Sequence, residues 1–180
     1  MSAQRVFVAY VGPQVYAFSR TTGAPNWHYS GCCEGGGGAT MPLYRGRLYD
    51  HDWAEGNFVF NASNGHLVDS YDSSLPPAFG GDVGLFLTGN SGAGKLVAND
   101  LTTGTIKWSF VGDGSLSTAP IVVNDFGVVG SSAGRVYGLA LKNGHRVWKA
   151  TVPGPVGSMA AGEGLVVVPS GTTVTAFGSA

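Results

Sequence analysis

Residues 136–148 read VYGLALKNGHRVW, and the same pattern stands at 15–27 as VYAFSRTTGAPNW, at 58–69 as FVFNASNGHLVD and at 96–108 as LVANDLTTGTIKW. Each copy is a β-branched or alternating run, a polar turn ending in Gly and, in three of the four, a Trp four residues after that Gly. The turn glycines are Gly23, Gly65, Gly104 and Gly144, at spacings of 42, 39 and 40. The tryptophans are Trp27, Trp108 and Trp148, with Asp69 in the place of the fourth. A fifth copy begins as TVTAF at 173–177. A fixed period of this length marks a supersecondary unit that cannot bury its apolar face alone, so the repeat sets the fold before any single element is assigned.

Working outward, the repeats are joined by further short runs broken by Gly, as in PIVVNDFGVVGSSAGRVYGLAL at 120–141, and no apolar stripe of helical period reaches ten residues. The fourth repeat predicts an inner strand at Ala119–Val123, a second at Gly127–Gly130, a third at Arg135–Leu141 and an outer strand ending at Trp148. Four short antiparallel strands per period are the layout of a propeller blade, whose faces are buried by its neighbours. The predicted fold is all-β: a β-propeller of four-stranded antiparallel blades, about four complete or nearly complete and one partial. The expected organisation is a single domain over 1–180, with repeats near 5–30, 39–73, 76–112, 117–152 and 156–178. RVFVAYV at 5–11 reads as a second strand, so the first blade lacks an inner strand, and 157–177 lacks an outer one. Open blade edges of this kind predict a truncated chain, self-association through those edges, or closure into a small ring.

Composition agrees and excludes several function classes. Of 180 residues, 30 are Gly and 9 are Pro, 43% are apolar and only 12% are charged. That is a turn-rich chain with ordinary core material, and disorder is not expected. The formal net charge is −1 and no window concentrates Lys or Arg, so the footprint of a nucleic-acid binder is missing. No apolar run approaches a membrane span, and MSAQRVFVAYVG has neither the basic start nor the apolar middle of a signal peptide. The only cysteines, Cys32 and Cys33, are adjacent, so they bond each other or stay free.

The third strand, the Thr-Gly or Asn-Gly turn and the following Trp resemble the blade signature of the pyrroloquinoline-quinone (PQQ)-type propeller, the quinoprotein alcohol dehydrogenase-like family. The resemblance covers nearly the whole chain and looks like the carboxyl-terminal half of such a propeller. It implies that Trp27, Trp108 and Trp148 pack between adjacent blades. It also implies that Gly23, Gly65, Gly104 and Gly144 supply the positive φ of the turn. Some PQQ-dependent alcohol dehydrogenases carry adjacent cysteines at the point where Cys32 and Cys33 stand, closed into a ring over the quinone. The resemblance thus implies cofactor-binding roles for Cys32 and Cys33. FLTGN at 86–90 is similar to the strand end where such enzymes present an Asn to calcium, which makes Asn90 the candidate metal ligand. The EGGGG run at 34–38 departs from the family there. The family's Glu ligand and catalytic Asp have no match, since Asp113 in SFVGDGSLS lacks the aromatic flank.

Other constellations carry less. GNSGAGKL at 89–96 approaches a phosphate-binding loop, but Leu96 replaces the metal-binding hydroxyl and a strand follows where a helix is needed. Asp50, His51 and Asp52 form a dense polar cluster, which strand alternation divides between two faces, as on a solvated or axis-lining strand. His66 and His145 each follow a turn Gly, and that repetition marks structure. No catalytic residue is assigned. The sequence points to a non-catalytic binding or scaffold module with no cofactor. It would take a protein, peptide or carbohydrate partner on a loop face carrying Cys32, Cys33, Glu55, Asn90, Ser91, Ser131 and Ser132. The alternative is a fragment or relative of a PQQ- and calcium-dependent alcohol dehydrogenase. An extracytoplasmic location, periplasmic or secreted, is what the family resemblance implies.

Overall fold

A computed structural model describes residues 2, 4–10, 12, 14–32, 40–52, 55–89 and 93–178. All its regular elements are strands, and each repeat folds as one antiparallel sheet. The first sheet holds β1 (Arg5–Tyr10), β2 (Gln14–Ser19) and β3 (Pro25–Ser30). The second holds β4 (Leu43–Tyr44), β5 (Arg47–Asp52), β6 (Gly56–Asn61) and β7 (Leu67–Ser70). The third holds β8 (Ala78–Gly80), β9 (Val83–Thr88), β10 (Lys95–Asp100) and β11 (Ile106–Phe110). The fourth holds β12 (Ile121–Val123), β13 (Phe126–Gly130), β14 (Arg135–Ala140) and β15 (Arg146–Thr151). The fifth holds β16 (Ala160–Gly162), β17 (Leu165–Ser170) and β18 (Thr173–Gly178). Strand order follows chain order throughout, as in a propeller blade. Among the described residues the first and last sheets have three strands each, where the other sheets have four. The outer strand β15 runs past Trp148 to Thr151.

The strands form two compact units, Met1–Asp72 and Ser73–Ala180. In the first, Val15, Leu48, Phe60 and Ala62 are buried between its two sheets, with Phe7, Trp27 and Tyr29 packed against them. In the second, the alternation of β13 and β14 feeds two cores at once. Val129 and Tyr137 face Leu85, Leu87 and Leu96 of the preceding sheet. Val128 and Val136 face Val152, Val156 and Val168 toward the following one. Successive residues of a strand point to opposite faces, so a sheet covered on both sides reads as a nearly continuous apolar run, and β9 is buried from Val83 through Leu87. Gly127 lets these sheets meet, since a Cβ there would stand 2.5 Å from a Leu85 methyl. The inner strand β12 lies beside both β8 and β16, while the outer strands β11 and β15 carry mostly exposed residues.

The repeated turn is built one way four times. The amide N–H groups of Gly23, Gly65, Gly104 and Gly144 donate to carbonyls four residues back, at 2.8–2.9 Å. Their φ values are 71°, 75°, 73° and 71°, in the left-handed region that glycine adopts without steric cost. The strand pairing beside each turn carries a register shift at the equivalent place: Ala17/Phe18, Val59/Phe60, Ala98/Asn99 and Gly138/Leu139. In the two Asn-Gly turns, the backbone N–H groups of His66 and His145 donate to Asn64 and Asn143 Oδ1, both at 3.1 Å.

Candidate functional site

The Trp of one repeat docks on the turn of the next. A Cβ on Gly65 would stand 2.5 Å from the Trp27 ring, and one on Gly144 would stand 2.6 Å from Trp108. The indole N–H groups donate to the carbonyl three residues before each Gly: Trp27 to Ala62 at 3.2 Å and Trp108 to Leu141 at 2.8 Å. Among the described residues Trp148 packs edge-on against Phe177, with centroids 5.0 Å apart. A Cβ on Gly23 or Gly104 would meet open space. These residues hold blades together and leave no polar group for chemistry.

The expected loop face lies where second strands turn into third strands and outer strands run on to the next repeat. In the second unit its backbone is tightly woven. Gly94 N–H donates to the Leu116 carbonyl at 3.2 Å, Ser117 N–H to Gly130 at 3.0 Å, and Ser132 N–H to Ser115 at 3.0 Å. Leu116 and Val156 occupy equivalent positions and plug this end of the sheets. Ser131 corrects the expectation of a contact residue. It is fully buried, and its hydroxyl donates to Asp113 Oδ2 at 2.8 Å. Asp113, the acid nearest the family's catalytic position, also accepts the Ser115 N–H at 3.1 Å. Burial, with Asp113 close by, raises the Tyr137 phenol above its ordinary range. The Asp113 carboxylate is thus a brace between a loop and a turn. Ser132 stays exposed, Glu55 is half-buried, and Cys32 is exposed but carries no free thiol. Cys33, the EGGGG run, Asn90 and Ser91 lie outside the described residues.

In the first unit the polar cluster on β5 is buried, which corrects the solvated half of the expected solvated or axis-lining strand. Asp50, His51 and Asp52 are 2%, 4% and 3% exposed. Two residues that sequence reading missed, Asn57 and Tyr71, complete the cluster. The His51 ring Nδ1 shares a short hydrogen bond with Asn57 Oδ1, and the Asn57 amide donates to the Tyr71 carbonyl at 3.2 Å. The Tyr71 hydroxyl donates to the Asp50 carbonyl at 2.9 Å. Asp52 Oδ1 accepts the Glu55 N–H at 2.9 Å, tying the end of β5 to the residue before β6. Burial, with the Asp52 carboxylate beside it, pushes the Asp50 carboxyl up to about 6. Among the described residues no three His, Cys, Asp or Glu side chains are grouped to hold a metal. The cluster can hold a proton near neutral pH and fix the end of β5.

The comparisons with known proteins agree with this architecture. The family model described as outer membrane protein assembly factor BamB matches residues 1–179. The crystal structure of BamB from Moraxella catarrhalis superposes with a TM-score of 0.72 at 20% identity, over 98% of this chain and 54% of that one. The computationally designed Ika8 protein gives 0.78 at 14% identity, over 99% of this chain and 57% of that one. The designed Ika4 protein gives 0.63 at 13% identity, over 78% of this chain and 91% of that one. The chain therefore spans about half the length of the first two. No curated protein matches the sequence. The docked tryptophans, the four identical turns and the family match together establish that the sheets are blades of a β-propeller and that the chain belongs to the PQQ-like repeat family described as outer membrane protein assembly factor BamB.

Proposed function

We propose that this chain is a non-catalytic binding or scaffold module that holds a protein, peptide or carbohydrate partner on its loop face in an extracytoplasmic compartment. The observation that carries the reading is the family match across residues 1–179, which is to an assembly factor of the outer membrane. Two features support it. The acid nearest the catalytic position of the quinoprotein enzymes, Asp113, is spent on Ser131 and Ser115. Cys32 carries no free thiol, which suits an oxidising compartment. Under this reading the chain needs no cofactor, and PQQ and calcium belong to the dehydrogenase alternative.

Thermal unfolding of the purified chain with and without PQQ plus calcium separates the two, because a ligand that binds only the native state raises the midpoint by mass action. The expected result is one midpoint in both conditions. A calcium-dependent rise that disappears in Cys32→Ser or Asn90→Ala overturns the scaffold reading. A photo-crosslinker at exposed Ser132, used in the envelope fraction, is expected to give a discrete adduct that the same group at exposed Ile106 on β11 does not.

A further inference from the structure

We infer that the outer strand β15 carries a second binding site, which takes an extended acidic segment of a partner protein along its open edge. β15 ends a complete four-stranded sheet that has another sheet before it and another after it, so this edge is set by the blade itself. Residues 117–152 of this repeat hold Arg135, Lys142, Arg146 and Lys149 against a single acid, Asp125, in a chain whose net charge is −1. Arg146 and Lys149 are exposed, and Val147 between them is 54% exposed. Lys149 Nζ lies 5.9 Å from the centroid of the Tyr137 ring, and the Arg135 guanidinium donates to the Thr151 hydroxyl at the end of the strand. Burial raises the Tyr137 phenol while Arg135 and Arg146 oppose that rise, so both guanidinium groups stand near the same ring. Three cations are thus gathered along one strand edge.

The preceding blade shows what neutralises such a strand. On β11, Lys107 pairs with Asp100 Oδ2 at 2.9 Å. The Asp100 carbonyl accepts the Gly104 N–H and the Ala140 carbonyl accepts the Gly144 N–H, so Ala140 stands where the pairing acid would be. The outer strands β3 and β7 carry no Lys or Arg. Among the described residues Arg135, Arg146 and Lys149 form no ion pair, and Asp113, the acid acting on Tyr137, is held by Ser131 and Ser115. Like charges repel, and carboxylates brought from outside relieve that repulsion. From Arg146 to Thr151 the strand covers about 17 Å, far longer than one phosphate or carboxylate. An edge strand also presents a row of unpaired N–H and C=O groups, which an extended chain can use and a compact anion cannot. Charges on an edge deter apolar strands, so the guest admitted is one that carries carboxylates. The site uses no loop-face residue and stands or falls apart from that face.

The probe is a fluorescein-labelled peptide, Thr-Glu-Val-Glu-Val-Glu-Thr-amide, followed by anisotropy against the full chain, with a Gln-for-Glu peptide as its neutral counterpart. The acidic peptide is expected to bind, to weaken as salt is raised, and to lose about tenfold in affinity in Arg146→Gln/Lys149→Gln, whose two side chains are exposed and leave the core intact. Lys107→Gln, on the neutralised strand β11, is expected to change nothing. Backbone pairing is tested by methylating alternate amide nitrogens of the peptide in each of the two possible phases, of which one is expected to abolish binding and the other to spare it. Unchanged binding by the double variant, or equal binding by the neutral peptide, overturns the site. Full binding by both methylated peptides overturns the addition of a strand. Sedimentation with vesicles of equal parts phosphatidylcholine and phosphatidylglycerol that the double variant abolishes, with no binding of the peptide, assigns the cations to a membrane surface and overturns the peptide assignment.

Discussion

Two glycines of one sequence motif carry different loads. Gly144 holds a φ of 71° and lies against the Trp108 ring, whereas Gly104 holds 73° and faces open space. Gly104→Ala adds only the left-handed strain of an L-residue, about 1–2 kcal/mol. Gly144→Ala adds that strain and a methyl driven into an indole, so it is expected to cost about 2–5 kcal/mol. Urea midpoints of the two variants check the ranking, and equal losses would remove Trp108 from the blade contact. Asp50 makes a second residue-scale prediction. Burial raises its pKa from 3.8 to about 6, so the folded chain binds this proton more readily than the unfolded one. The stability it contributes is full below about pH 4, falls as pH rises toward 6, and is absent above that. Asp50→Asn is expected to stabilise the chain by about 1–3 kcal/mol at pH 7 and by nothing at pH 4. A gain that is the same at both pH values would mean that the carboxyl is not perturbed in the fold.

Strands of one sheet are unequal in the same way. Leu139 on β14 is fully buried between sheets, while Ile106 on the outer strand β11 is 65% exposed. Leu139→Ala removes transferred surface and leaves a cavity, at an expected cost of about 2–5 kcal/mol. Ile106→Ala is expected to stay within about 0.5 kcal/mol. The gradient from the covered middle strands to the outer strand also explains the sequence patterns: β9 and β13 read as apolar runs, while β15 alternates half-buried and exposed residues with Trp148 on its inner side. Chemical denaturation of the two variants measures this gradient directly, and comparable losses would place β11 inside the core.

Over the whole molecule, the described residues form buried clusters of different size in the two units. Among the described residues, the first unit buries one cluster of four apolar residues, and the second buries clusters of ten and five. In a repeat protein each interface between neighbours contributes its own increment, so protection should follow the buried interfaces. In rising urea, hydrogen exchange is expected to open β5 and β6 before β9, β10, β13 and β14. Loss of protection in all six strands at one urea concentration would show a single cooperative unit. The boundary at Asp72 lies three residues beyond Asp69, which stands where the other repeats have Trp, so the irregular copy of the sequence motif and the division of the fold fall together.

The sequence by itself determined the repeat, the strand layout and the turn chemistry, because each is encoded locally. Alternation sets which faces of a strand are apolar, and Asn-Gly or Thr-Gly fixes a turn whatever surrounds it. It also located the Trp and Gly that join neighbouring blades, since both recur at the repeat period. Tertiary structure alone decided the rest. Ser131 reads as a surface serine until Asp113 of the preceding connection covers it. The Asp50–His51–Asp52 run reads as a solvated or axis-lining strand, and the fold buries it with Asn57 and Tyr71 bonded beside it. Arg135, Arg146 and Lys149 are isolated charges along the chain and gather about Tyr137 only when β14 and β15 pair. Neither burial nor convergence belongs to a residue or its immediate neighbours; both depend on which distant strand lies opposite, and that is fixed only when the blades stack.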